Sequence, residues 1–257
     1  MENLLLIAGG GLFAGLLAGI LGIGGGVVLV PLITALGYSP VQAVATSSFA
    51  IILTASSGTL QNYRMGYVDL NRIFSLGIPA IATTQLGVYI ANLIPDYMLL
   101  IGFGLLLLTN IALASWRRNL NHQEKPSRDQ TATKKTIARI ITGGSAGFLA
   151  GLFGIGGGAI MVPLQMVLLG EPIKVAIQTS LGVIVITSVS STLGHATQGN
   201  VLFLEGFLLG FGGLIGAQVS TRYLPKLRDR VVAFSFYTMM AIFAFYSFWQ
   251  AWLKLQN

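Results

Sequence analysis

Residues 14–32 read AGLLAGILGIGGGVVLVPL, and residues 146–164 read AGFLAGLFGIGGGAIMVPL. The two stretches agree at 13 of 19 positions. Each holds an apolar run, a Gly-Ile-Gly-Gly-Gly tip and a second apolar run ending near a proline. Three consecutive glycines break a helix, because each costs about 1 kcal/mol relative to alanine in a helix interior. The run after each tip, 27–37 and 159–169, has 11 residues. At about 1.5 Å per residue it reaches about 16 Å, short of the roughly 30 Å hydrocarbon core of a bilayer. Each motif therefore reads as a hairpin that turns inside a membrane.

Composition supports a membrane setting. Of 257 residues, 54% are hydrophobic and 9% charged, with a mean hydropathy of +0.77. Soluble domains carry about 25% charged residues, enough to coat their surface. The chain has no cysteine, which excludes disulfides, thiolate metal sites and CxxC redox chemistry. Its two histidines, His122 and His195, do not supply a His-rich metal centre. No metal and no cofactor is expected. Met1-Glu2-Asn3 lacks a basic leader, so the first apolar run is expected to belong to the working protein.

Outward from the tips, the rest of each half also repeats. Pro40 aligns with Pro172 and Ser47-Ser48 with Thr179-Ser180. After a one-residue shift, Asn62 aligns with His195 and Gly66 with Gly199. Five apolar segments are predicted in each half: 4–21, 27–37, 41–61, 71–94 and 97–116, then 137–153, 159–169, 174–193, 203–224 and 230–252. Residues 1–116 form an N-terminal repeat and 140–257 a C-terminal one. The polar stretch 117–139 (RRNLNHQEKPSRDQTATKKTIAR) is expected to be a solvated basic linker.

Charge decides the threading. If each motif crossed the membrane as a loop, the basic residues would divide 10 to 5 between the two sides. If each motif returns to the side it started from, they divide 14 to 1, with Lys254 alone. The excess of Lys and Arg on cytoplasmic loops favours the second arrangement. It gives an odd number of crossings per half, so the repeats are inverted, both termini lie outside and the linker is cytoplasmic. The expected fold is an all-α polytopic membrane protein of two inverted repeats, each with a Gly-rich re-entrant hairpin plus three spanning helices.

Inverted repeats with broken helices are transporter architecture, with a site near the midplane. The tips, Gly24, Gly25 and Gly26 with Gly156, Gly157 and Gly158, would bring helix N-termini to that plane, where free N–H groups and the helix dipole favour an anion. Hydrogen-bond donors follow on the third segments: Thr46, Ser47 and Ser48, then Gln178, Thr179 and Ser180. Acidic residues stay near segment ends, so a cation site is disfavoured. Hydroxyls also bond their own helix carbonyls, and that bland reading stands beside the ligand one. His195 and Asn62 are candidates for a proton or polar site, with a polar helix cap as the alternative. Stripes such as Gly11/Gly15/Gly19 and Gly143/Gly147/Gly151 read as packing faces. Arg64, Arg72, Arg222, Lys226, Arg228 and Arg230 read as topology determinants. No nucleotide-binding motif, Ser–His pair or paired acid and base is present within the spans, so neither an enzyme nor an ATP-driven pump is expected.

The doubled AGxxxGxxGIGGGxxxVP motif, the hydroxyl-rich segment after each copy and the Gly194–Gly199 stretch resemble the sulfite exporter TauE/SafE family of membrane permeases. The resemblance implies an inner-membrane protein of a prokaryote that moves sulfite, thiosulfate or an organosulfonate. The first half departs from it, with Gln61-Asn62 where the second has Gly194-His195. The expected partners are a small anionic substrate and the lipid bilayer, with no nucleic acid; self-association as a homo-oligomer stays open. A secondary transporter is the favoured reading. A passive anion channel and a non-transporting scaffold or assembly factor are the alternatives.

Overall fold

A computed structural model describes residues 2–120 and 132–256. His122 and the middle of the linker lie outside the described residues. The order is α1 (Glu2–Leu21), α2 (Gly26–Ala35), α3 (Pro40–Arg64), α4 (Leu70–Ala91), α5 (Asp96–Leu120), α6 (Ala132–Phe153), α7 (Gly158–Leu168), α8 (Ile173–Thr197), α9 (Phe203–Tyr223) and α10 (Asp229–Gln256). A short 3₁₀ turn at Leu224–Lys226 joins the last two. Helices α5 and α6 both run into the stretch read as linker, so Lys134, Lys135 and Arg139 sit on a helix rather than in a loop.

Local sequence sets the helix ends. Helix α1 stops where Gly22, Gly24 and Gly25 take φ of 67°, 70° and 90°, and α6 stops where Gly154, Gly156 and Gly157 take 64°, 67° and 79°. Only glycine adopts this left-handed region freely, so the chain reverses there. Ser39 and Gln42 close a capping box on α3, with Pro40 in its first turn. The Asp69 side chain caps α4 by accepting from the Arg72 amide.

Among the described residues, six helices are long and apolar enough to cross a membrane: α3, α4, α6, α8, α9 and α10. The protein is an all-α polytopic membrane protein. Helices α3 and α8 form its middle, with 67% of their most apolar stretch buried, against 33% for α10. They cross antiparallel, since Ser48 meets Ser191 while Gly58 lies against Leu181. Helix α1 runs parallel to α9 and α6 parallel to α4, so each half is completed by the other. Large apolar side chains such as Phe74, Ile78, Phe211, Phe245 and Trp252 face outward, where lipid replaces water.

The seams rest on glycine. A Cβ on Gly11 or Gly15 would run into the backbone of Leu209 or Gly213 on α9. One on Gly143, Gly147 or Gly151 would meet the carbonyls of Leu76, Ala80 or Thr84 on α4. These stripes are packing faces.

Helix directions sort the charge. Arg64, Arg72, Lys134, Lys135, Arg139, Lys174, Arg222, Lys226, Arg228 and Arg230 gather at one end of the bundle. Lys254 sits at the other end, paired with Asp96 at 3.1 Å.

Candidate functional site

The two Gly-rich tips enter the bundle from opposite ends and meet in its centre. Gly24 packs against Ile51 and Ile184, near the midpoints of α3 and α8, where a Cβ would lie 3.0 Å from each. A Cβ on Gly26 would lie 2.5 Å from both the Gly154 carbonyl oxygen and Ile155 Cα. One on Gly158 would strike the Gly22 carbonyl and come within 2.8 Å of Ile23 Cα. The tips are thus interlocked backbone to backbone, and residues 21–31 are buried throughout.

Each short helix starts at this crossing. Gly25 and Gly157 are the N-caps of α2 and α7, and neither start has a side-chain cap. The first amides of a helix have no acceptor within it, so both N-termini present positive potential to the core. Among the described residues no Asp, Glu, Lys or Arg is buried, so no charged side chain accompanies them.

Of the hydroxyls predicted around this point, Ser47 and Ser180 hold the tips. Ser47 Oγ donates to a shared pair, Gly154 O at 2.8 Å and Val44 O at 2.9 Å. Ser180 does the same with Gly22 O at 2.7 Å and Ile177 O at 2.9 Å. Thr187 Oγ1 lies 2.8 Å from Gly156 O. Ser48 Oγ and Ser191 Oγ are 2.9 Å apart and bridge α3 to α8. Thr46 Oγ1 accepts from the Leu202 amide at 3.1 Å, at the start of α9. Gln178 and Thr179 are buried just ahead of Ser180 on α8. Ser188, fully buried, has no partner for its hydroxyl and lies beside Gly156.

This geometry revises the repeat register. Ser47 and Ser180 perform the same task, so they are the equivalent pair, not Ser47 and Thr179. The reason is that α7 has 11 residues and α2 has 10, which moves the one-residue shift ahead of the third segment. Helices α3 and α8 then match end to end, Pro40 with Ile173, and Asn62 still falls on His195.

Those two positions lie near the ends of α3 and α8, away from the crossing. His195 is fully buried, and its Nε2 is 3.0 Å from Gly151 O. A carbonyl only accepts, so Nε2 carries the proton and caps a carbonyl in the last turn of α6 that has no acceptor role within the helix to fill. Asn62 is equally buried, with both amide atoms unpartnered.

Sequence reasoning missed a second polar place. Arg72, Lys135, Arg139, Gln165 and Glu171 line a cavity of about 130 Å³ at the basic end, with Leu76 and Leu169. Arg72 is held there by Asp69 at 3.0 Å and Glu171 at 3.3 Å. The usable signal was Gln165, an amide inside the apolar arm MVPLQMVL where the first repeat has Ile33. At the opposite end Tyr38 donates to Glu205 at 3.1 Å, and this bond to a carboxylate pushes the phenol pKa up.

Comparison with known proteins agrees with this architecture. The family model described as "Sulfite exporter TauE/SafE" matches residues 7–247. The chain belongs to the TauE/SafE family. Like its TauE/SafE relatives it is a membrane transporter. A probable membrane transporter protein, YunE of Bacillus subtilis, is 30% identical over 240 residues, covering 84% of this chain and 88% of its own. A probable membrane transporter protein of Xylella fastidiosa strain 9a5c is 28% identical over 265 residues, covering 99% and 98%. One from Methanocaldococcus jannaschii, MJ0441, is 28% identical over 210 residues, covering 79% and 74%. No solved structure matches this TauE/SafE chain.

Proposed function

We propose that the protein is a secondary transporter of a small sulfur-containing anion: sulfite, thiosulfate or an organosulfonate. The observation that carries this reading is the meeting of two glycine-capped helix N-termini in the buried centre, with no charged side chain buried beside them among the described residues. Aligned peptide dipoles there favour an anion, and a partly buried N-terminus is worth up to about 2 kcal/mol. Sulfite is the anion in the family description; thiosulfate and organosulfonates are added from the family resemblance, as chemically similar sulfur oxyanions. Gly24, Gly25, Gly26, Gly156, Gly157 and Gly158 would line the anion, with Thr46, Ser47, Ser48, Gln178, Thr179 and Ser180 around it.

With the tips packed on each other, loading requires them to part. Ser47, Ser180 and Thr187 then release tip carbonyls and turn their protons to the oxyanion. The two repeats are inverted, and rocking of one hairpin against the α3–α8 pair would expose the crossing to each side in turn. The basic end faces the cytoplasm of a prokaryotic cell, following the positive-inside rule.

Proteoliposome uptake tests the reading. Labelled sulfite, thiosulfate and sulfoacetate are offered with sulfate and chloride as controls, with and without a pH gradient. The expected result is saturable flux of one sulfur anion, lost in Gly25→Leu and Gly157→Leu. Flux linear in voltage without saturation would replace the transporter with a channel. Folded protein that moves none of these anions would discard the sulfur assignment.

A further inference from the structure

The cavity at the basic end has a counterpart by repeat position at the other end, and the two differ in charge. Arg72 corresponds to Glu205, Glu171 to Tyr38, Arg139 to Ile7, Lys135 to Asn3 and Gln165 to Ile33. The structure keeps the pairing while exchanging the groups: Arg72 bonds Glu171 at one end, and Tyr38 bonds Glu205 at the other. One set of positions thus carries three cations and one carboxylate. Its equivalent carries a single carboxylate.

We infer that the Arg72–Lys135–Arg139–Gln165 cavity is a vestibular binding site for the transported anion, loaded only from the basic end. This deepens the transport reading above and rests on it for the identity of the anion. Three features favour a small free oxyanion as occupant.

The first is supply of donors. Arg72 is fixed by two carboxylates, while Lys135 and Arg139 make no ion pair among the described residues. Their ammonium and guanidinium groups remain for a ligand. The second is size. A space of about 130 Å³ takes several waters, which suits sulfite or thiosulfate with part of its hydration shell. Pockets for larger organic ligands start at about 300 Å³. The third is position. Gln165, 1% exposed, holds α8 by donating to Ala176 O at 3.2 Å and sits at the cavity floor. It lies on α7, seven residues from Gly158 at the central crossing, about 10 Å along the helix. An anion in the vestibule is therefore one short helix away from the N-terminus that would receive it. Glu171 in the same wall opposes occupancy and keeps the site weak enough to empty.

Two readouts test this, one of them independent of transport. First, thiosulfate is titrated against modification of Lys135 by a membrane-impermeant amine reagent in the purified full chain, followed by mass spectrometry. Protection of Lys135 but not of exposed Lys254 is expected, weakening as salt rises. Second, initial rates are measured in right-side-out and inside-out vesicles with the anion that the wild type carries. Lys135→Gln with Arg139→Gln should raise KM at the basic end about ten-fold, the worth of one charged hydrogen bond. KM at the other end should not move, while the maximal rate from that end falls so that the ratio of maximal rate to KM stays equal in the two directions; an unchanged melting temperature in detergent certifies folding. Arg139→Lys should restore most of the affinity, and Glu171→Gln should lower KM at the basic end. Protection without any wild-type flux would keep the vestibule and overturn the transport reading. Flux with equal KM changes at both ends, or no protection, would overturn the vestibule. Protection that follows the anionic lipid content and ignores thiosulfate would make it a headgroup site and overturn the inference as well.

Discussion

Gly26 and Gly66 separate two roles that glycine plays here. Gly66 has φ of 77° and no atom within 4 Å of where a Cβ would stand, so only its backbone angle matters. Alanine there costs about 1–2 kcal/mol, the penalty of the left-handed region for an L-residue. Gly26 lies outside that left-handed region, but a Cβ would collide with the Gly154–Ile155 backbone across the crossing. Backbone does not yield as a flexible side chain does, and overpacking costs about 1–3 kcal/mol. Thermal unfolding in detergent should show both variants destabilised by similar amounts. Transport should survive in Gly66→Ala and collapse in Gly26→Ala, because only the latter holds the tips apart. Equal activity in both would remove the crossing from the transport cycle.

At the scale of elements, the hairpins were legible because Gly-Ile-Gly-Gly-Gly contradicts both flanking runs. The small-residue stripes were legible from spacing alone. Gly147→Leu should therefore unseat α6 from α4 and lower the melting temperature, while KM of any remaining active protein stays unchanged. A specific rise in KM without loss of stability would mean that the stripe touches substrate. The register of α3 against α8 was not legible. Pro40 and Pro172 are identical residues in neighbouring positions, and identity masked the extra residue in α7. Only the shared task of Ser47 and Ser180 fixes the alignment. The vestibule was hidden for another reason. Arg72 and Arg139 come from different halves, and nothing local in either helix says that they face one cavity.

For the whole molecule, the sidedness of charge makes a topological prediction. The absence of cysteine makes single substitutions clean reporters. Tyr67→Cys, exposed after α3, should react with an impermeant thiol reagent only from the cytoplasmic side. Gln198→Cys, exposed after α8, should react only from outside. Both reacting from one side would contradict the antiparallel crossing of α3 and α8.

The parallel seam between α1 and α9 bears on biosynthesis. Gly11 waits for Leu209, a segment translated about 200 residues later. At about 5–20 residues per second the ribosome needs roughly 10–40 s to deliver it. Through that interval the glycine face of α1 has no native neighbour, and for about the first two-thirds of it the first tip has nothing to lock against. The N-terminal half therefore emerges as an unfinished piece, and its native seam closes late, when the ninth helix arrives beside the first.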